Sequence, residues 1–224
     1  TDAKTVIKFK NCTFDNAMVL FEGMSGKTGT FEAIFENCTF NALADFTSRL
    51  PAIAPTYYVT GNHEWGAHHA EALMDLLTVQ GITCLRNTSL ALQRGDDMLV
   101  IAGVEDPNGY ADQKTPAQVA TDVYAKYGDP FWLLLAHRNN HFEKQYSLLG
   151  ADLVLSGHAH GGQWRIPGLL NGLLAPDEGL FPRYAGGRYD LGNTAFIVSR
   201  GLAKESTRVP RLYNPPELVL VEIQ

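Results

Sequence analysis

A chain of 224 residues with 45% hydrophobic and 19% charged side chains is long enough for one substantial core, or one domain with a small appendage, and lies in the range of soluble globular proteins. Its formal charge of −6 and the absence of any Lys/Arg cluster exclude a general nucleic-acid binder, while phosphorylated substrates stay open because bound cations reverse a local potential. Three cysteines (Cys12, Cys38, Cys84) are too few for a disulfide framework, and the lack of a bilayer-length apolar run or signal-peptide pattern reads as a cytoplasmic or peripheral-membrane chain.

In chain order, the first stretch stands apart. Phe9-Lys10-Asn11-Cys12-Thr13-Phe14 returns with one change as Phe35-Glu36-Asn37-Cys38-Thr39-Phe40, around Met18–Phe21 and a Gly-rich run from Gly23 to Gly29. Apolar and β-branched residues such as Val6, Phe9 and Ile34 favour strands there, as a short repeat or as two strands of similar composition. Residues 1–41 therefore read as a β-rich segment and 42–224 as the main domain. From Ala42 the pattern alternates: a helix to Leu50, a buried strand 57–60, a helix 67–79 stopped by Gly81, and a short strand 82–85. Hairpin arms 90–93 and 98–102 follow around Gly95-Asp96. Pro116 opens a helix running to about Lys126. A strongly apolar strand 131–136, a helix 140–149, and strands 151–155, 194–199 and 218–223 complete an α/β arrangement.

Three polar clusters follow apolar strands directly: Asn62-His63 after 57–60, His137 after 131–136, and His158/His160 after 151–155. In α/β folds the carboxyl ends of strands share one edge, where ligand sites form, so residues distant in sequence converge. Neutral imidazole and amide oxygen are acceptable ligands for divalent transition ions. Gly157, Gly161 and Gly162 around the histidine pair permit tight turning and close approach. Taken singly, Asn62-His63 also reads as a turn with a satisfied histidine, and His137 as an ordinary strand-end residue. His68, His69 and His141 are assigned no role.

Gly61-Asn62-His63-Glu64, Leu135-Ala136-His137 and Ser156-Gly157-His158-Ala159-His160-Gly161-Gly162-Gln163 together resemble the calcineurin-like metallophosphoesterase family, in its bacterial small-phosphodiesterase branch. The similarity extends to Ile101–Pro107, Ser199–Leu202 and Arg211–Glu217, and covers about 42–224. It implies a two-sheet α/β sandwich. It also implies that Asn62, His137 and His158 bind one metal ion and His160 the other, with His63 meeting the substrate phosphate or protonating the leaving oxygen. Manganese, iron or zinc, one ion or two, would activate a hydroxide against a phosphodiester or diphosphate of a small molecule or lipid.

The family's Asp-x-His and first Gly-Asp motifs have no counterpart in order. No Asp-x-His occurs in the chain, Gly95-Asp96 and Gly128-Asp129 follow the Asn62 motif, and Gly23-Met24 stands where the bridging aspartate belongs. Three accounts stay open: a replaced opening unit, giving an inactive or altered binding protein; a chimera whose start belongs to a repeat-like protein; or an aspartate such as Asp2, Asp15 or Asp45 reaching the site by another route.

Overall fold

The computed structural model of the chain describes residues 5–10, 31–36, 46–202 and 210–223. The chain divides into two compact units, residues 1–57 with 67–84, and residues 58–66 with 85–224.

In the first unit, β1 (Thr5–Lys10) and β2 (Phe31–Glu36) pair in parallel with Phe9 opposite Phe35 and Lys10 opposite Glu36. The leading residues of the two similar hexapeptides thus stand in register, the arrangement in which stacked repeats set like against like. The remainder of each hexapeptide, and the boundary expected at 41/42, lie outside the described residues, as do Asp2, Asp15, Gly23-Met24 and Asp45. Residues 46–49 are helical. The helix Ala70–Val79 buries Ala70, Met74 and Leu77, a stripe at helical spacing. It begins three residues later than its composition suggests, because His68 adopts a positive φ of 58° that no helix accommodates. It ends at Gln80, followed by Gly81 at φ 89°. β3 (Tyr57–Tyr58) is two half-buried residues rather than the buried strand expected over 57–60, and the Thr83 N–H donates to the Thr56 carbonyl at 2.9 Å, aligning β4 (Thr83–Cys84).

The second unit is organised by a six-stranded mixed sheet. It contains β5 (Thr88–Arg94), β6 (Asp97–Val104), β7 (Phe131–Ala136), β8 (Leu153–Ser156), β11 (Gly187–Leu191) and β12 (Thr194–Val198), in the order β11-β12-β8-β7-β6-β5. Strands β6, β7, β8 and β12 are parallel, and antiparallel β5 and β11 close the two edges. The turn Gly95-Asp96 joins β5 to β6 as expected, with Gly95 at φ 61° supplying the left-handed geometry a two-residue hairpin needs. The crossover from β6 to β7 is the helix Pro116–Tyr127. Thr115 Oγ1 accepts the Gln118 N–H, Gln118 Oε1 accepts the Thr115 N–H, and Pro116 takes the first turn.

Alternate residues of the parallel strands are driven to one face. Val100, Ala102 and Val104 of β6, Trp132, Leu134 and Ala136 of β7, and Phe196 and Val198 of β12 are buried with Val119, Ala120 and Val123 of the crossover helix. Phe142 stacks on Phe196 at 3.9 Å between ring centres. Ile101, Leu133 and Leu153 are buried as well, so these central strands are continuously apolar rather than alternating.

Two expectations change. The stretch 140–149 forms two single 3₁₀ turns, Asn139–His141 and Tyr146–Leu148, instead of one helix. The tail 218–223 forms no strand with any described residue, and Leu218 and Leu220 are exposed. Strand propensity is fit to a half-buried pleated surface, and without a neighbouring edge the apolar residues of the tail have none to fit. Short pairs such as β9 (Leu174–Ala175) with β10 (Gly179–Leu180) complete the unit. Among the described residues, no helix is long and apolar enough to cross a membrane.

Candidate metal centre

Three parallel neighbours deliver the site. In register, Val104 stands opposite Ala136 and Leu135 opposite Leu155, so β6, β7 and β8 end along one edge of the sheet. The residues just past those ends are Asp106, His137 with Arg138, and His158. Asn62 and His63 enter at the start of the short helix Asn62–Gly66. Gly61 makes the approach feasible: a Cβ there would lie 3.0 Å from both Cδ2 and Cε1 of His137. The Gly61 N–H donates to Glu64 Oε2 at 2.8 Å, which holds the turn.

Asn62 Oδ1 lies 2.8 Å from His137 Nε2 and 3.1 Å from His158 Nδ1, and the two ring nitrogens are 3.2 Å apart. These three donor atoms form a nearly equilateral triangle. Donors capping one face of an octahedral ion at about 2.1 Å are roughly 3 Å apart, so the triangle fits a single divalent transition ion. The imidazoles are also in the required protonation state. Burial, followed by repulsion from His158, lowers the His137 pKa to about 4. Burial, then Arg138, does the same for His158, also to about 4. Both rings are therefore neutral at pH 7, with a lone pair available.

The backbone after β8 is strained to achieve this. His158, His160, Gly161, Gly162 and Gln163 have φ of 65°, 50°, 64°, 65° and 55°. Three of the five are not glycine, and each such left-handed residue costs on the order of 1–2 kcal/mol. At Gly162 the close approach is unavoidable, since a Cβ would sit 2.3 Å from Cα of Gly172.

His160 is not part of the triangle. It opens the 3₁₀ turn His160–Gly162 and faces His63 edge-on, with ring centres 6.4 Å apart. Burial, then Arg211 and His63, lower its pKa to about 4. The structure therefore gathers the five sequence-identified residues into a cap (Asn62 and His137 half-buried, His158 buried) and an adjacent pair (His63, His160), of which His63 is exposed.

Three further residues complete the surroundings. Asp177 Oδ2 accepts from His158 Nε2 at 3.1 Å, which puts the imidazole proton on Nε2 and leaves Nδ1 as donor to an ion. Arg138 bonds Asp177 and grips the fully buried Asp106 carboxylate with Nε at 2.7 Å and Nη2 at 3.1 Å. Asp106 lies within the Ile101–Pro107 similarity and Arg138 adjoins His137, so both had a local signal. Asp177, on the turn between β9 and β10, had none.

Anionic ligands are the element this cap lacks. Among the described residues no group of three or more His, Cys, Asp or Glu has metal-binding spacing, and the triangle is two neutral rings and an amide. Two dications about 3.5 Å apart repel by on the order of 20 kcal/mol even at an effective dielectric constant of 20, which neutral donors do not offset. The described donors fit one ion.

The chain that carries this neutral N/N/O cap belongs to the metallophosphoesterase family. An uncharacterized metallophosphoesterase of Aquifex aeolicus is 31% identical over 188 residues, covering 81% of this chain and 66% of its own length. Phosphodiesterase YaeI of Escherichia coli is 30% identical over 186 residues, 82% of this chain and 64% of its own. The uncharacterized metallophosphoesterase YkuE of Bacillus subtilis is 30% identical over 169 residues, 74% and 55% respectively. The chain thus spans between about half and two thirds of the length of these relatives. No family model and no solved structure matches it.

Proposed function

We propose that this chain is the metal-dependent hydrolase part of a phosphoesterase acting on a phosphodiester or diphosphate, carried by a phosphorylated small molecule or a lipid at a membrane surface. The observation that supports this most directly is the triangle of Asn62 Oδ1, His137 Nε2 and His158 Nδ1 at the end of three parallel strands. These residues would hold a divalent ion such as manganese, iron or zinc. When bound, such an ion supplies Lewis-acid polarisation of a phosphoryl oxygen and lowers the pKa of water.

The chain's own residues supply the rest. Asp177 fixes the proton of His158 on Nε2, and Arg138, anchored by buried Asp106, holds Asp177. His63, exposed beside His160, would meet an incoming phosphate and give a proton to the leaving oxygen. The name phosphodiesterase carried by YaeI points to the same reaction class.

The neutral donor set favours one alternative, a phosphoesterase-like protein that binds a phosphorylated ligand without turning it over. One experiment separates the two: metal analysis of purified protein after manganese loading, with hydrolysis of bis(p-nitrophenyl) phosphate. Bound manganese and turnover, both lost in His158→Ala, are the expected results. Bound metal without hydrolysis selects the binding protein, absence of metal and turnover overturns the proposal, and hydrolysis that survives His158→Ala moves the site elsewhere.

A further inference from the structure

Beside His160, outside the metal cap, three arginines are drawn together. Arg165 follows the His160 turn, Arg200 follows β12, and Arg211 lies on the returning tail. That tail is fastened to the turn: the Leu212 N–H donates to the Gln163 carbonyl at 3.1 Å, and the Arg165 N–H to the Leu212 carbonyl at 3.0 Å. Asn214 Nδ2 donates to the carbonyls of His160 and Gln163 at 2.7 and 3.1 Å. Trp164 Nε1 donates to the Pro210 carbonyl at 2.9 Å. Arg211, between two of these attachment points, is placed rather than free to sweep through solvent.

Its hydrogen bonding is incomplete. Arg211 Nη2 donates to the Arg200 carbonyl at 2.6 Å, but Nε and Nη1 are buried with no partner, and so is Nε of Arg200. Arg200 Nη2 reaches Glu217 Oε1 at 2.8 Å, and Arg165 Nη2 reaches Asn171 Oδ1 at 2.6 Å. Among the described residues Glu217 is the carboxylate facing this group. Among the described residues, Glu217 thus serves Arg200 and Arg165 together. Burial, then Arg200, pushes the Arg211 and Arg165 pKa values down, as expected of cations held together without enough anion.

Buried cationic N–H groups left unbonded are costly and persist in native proteins where something completes them. Arginine N–H groups match the oxygens of a phosphate, and an arginine pair with three unbonded N–H positions has capacity for an anion. We propose that Arg211 with Arg200 forms an oxyanion subsite beside His160 that holds a second, non-reacting phosphoryl group of the substrate. This rests on the phosphoesterase reading and narrows it: preferred substrates carry two phosphates, as diphosphates do, rather than one isolated diester.

The test uses the whole chain in excess EDTA, titrated calorimetrically with methylenediphosphonate, a non-hydrolysable diphosphate. Wild type binds, and Arg211→Met binds at least tenfold more weakly, while its manganese affinity in chelator-free buffer, read by electron paramagnetic resonance, is unchanged. Should Arg211→Met fold poorly, Arg211→Lys, which retains a donor for the Arg200 carbonyl, takes its place, with a smaller but measurable loss. Equal binding by wild type and variant, or no binding by wild type, overturns the subsite. Arg211-dependent binding by a protein that takes up no manganese leaves the subsite standing and overturns the metal-dependent function alone.

Discussion

Replacing Gly61 by alanine sets a methyl carbon 3.0 Å from Cδ2 and Cε1 of His137 and 3.0 Å from Oε2 of Glu64. Carbon atoms rest at about 3.5–4.0 Å, so the imidazole has to retreat by roughly 0.5 Å or more. It has little room, because the ring is half-buried and its Nε2 is 2.8 Å from Asn62 Oδ1 and 3.2 Å from His158 Nδ1. Overpacking of this kind costs about 1–3 kcal/mol, a fall in Tm of about 2–12 °C for a protein of this size. The displaced donor also opens the triangle, and disturbing the support of a metal ligand typically weakens binding by about 10–100-fold. Gly66→Ala is the internal control, since a Cβ there meets nothing within 4 Å. Scanning calorimetry gives the first quantity and manganese titration followed by electron paramagnetic resonance the second. If Gly61→Ala binds manganese like wild type and melts with Gly66→Ala, His137 is not confined as the triangle requires.

Asp177→Asn, which weakens the hold on His158 Nε2–H, lowers manganese affinity by about tenfold. In the same variant the nitrogen-15 shifts of the His158 ring move away from a single Nε2-protonated tautomer, a change that a loss of general stability does not produce. Acid sensitivity follows from the three imidazoles whose pKa values are near 4 when folded, against an ordinary 6.5. The unfolded chain takes up their protons first, so this contribution to stability is complete above about pH 6.5 and is lost as pH falls towards 4. Urea unfolding at pH 7, 6 and 5 shows the decline, and it is shallower in His137→Gln. In the sheet core, Leu134→Ala removes a fully buried side chain and costs about 2–5 kcal/mol by the same unfolding assay, with the manganese affinity of the folded protein retained.

Much of this protein was legible as a string of residues. Apolar runs such as Phe131–Ala136 had to be central strands, because six consecutive apolar residues have no exposed face to offer. His137 and His158, immediately after such runs, had to gather on one edge, since parallel strands end together. Gly95-Asp96 specified its hairpin and Thr115-Pro116 its helix start, both through local chemistry. Other features required the folded chain. The tail 218–223 carries strand-like residues but meets no described edge, so propensity alone misplaced it. The separation of His160 from His158, two residues away, depends on left-handed backbone at both positions, a geometry residue type does not announce. Asp177 reaches His158 from a turn 19 residues downstream, and Arg211 reaches the His160 loop from 51 residues away. Sequence alone determined the family and which residues can ligate an ion, because those follow from side-chain chemistry and strand-end position. Tertiary structure decided which of their donor atoms stand together, which carboxylate meets His158 and where arginine N–H groups are left unbonded, because those depend on distances that no local pattern encodes.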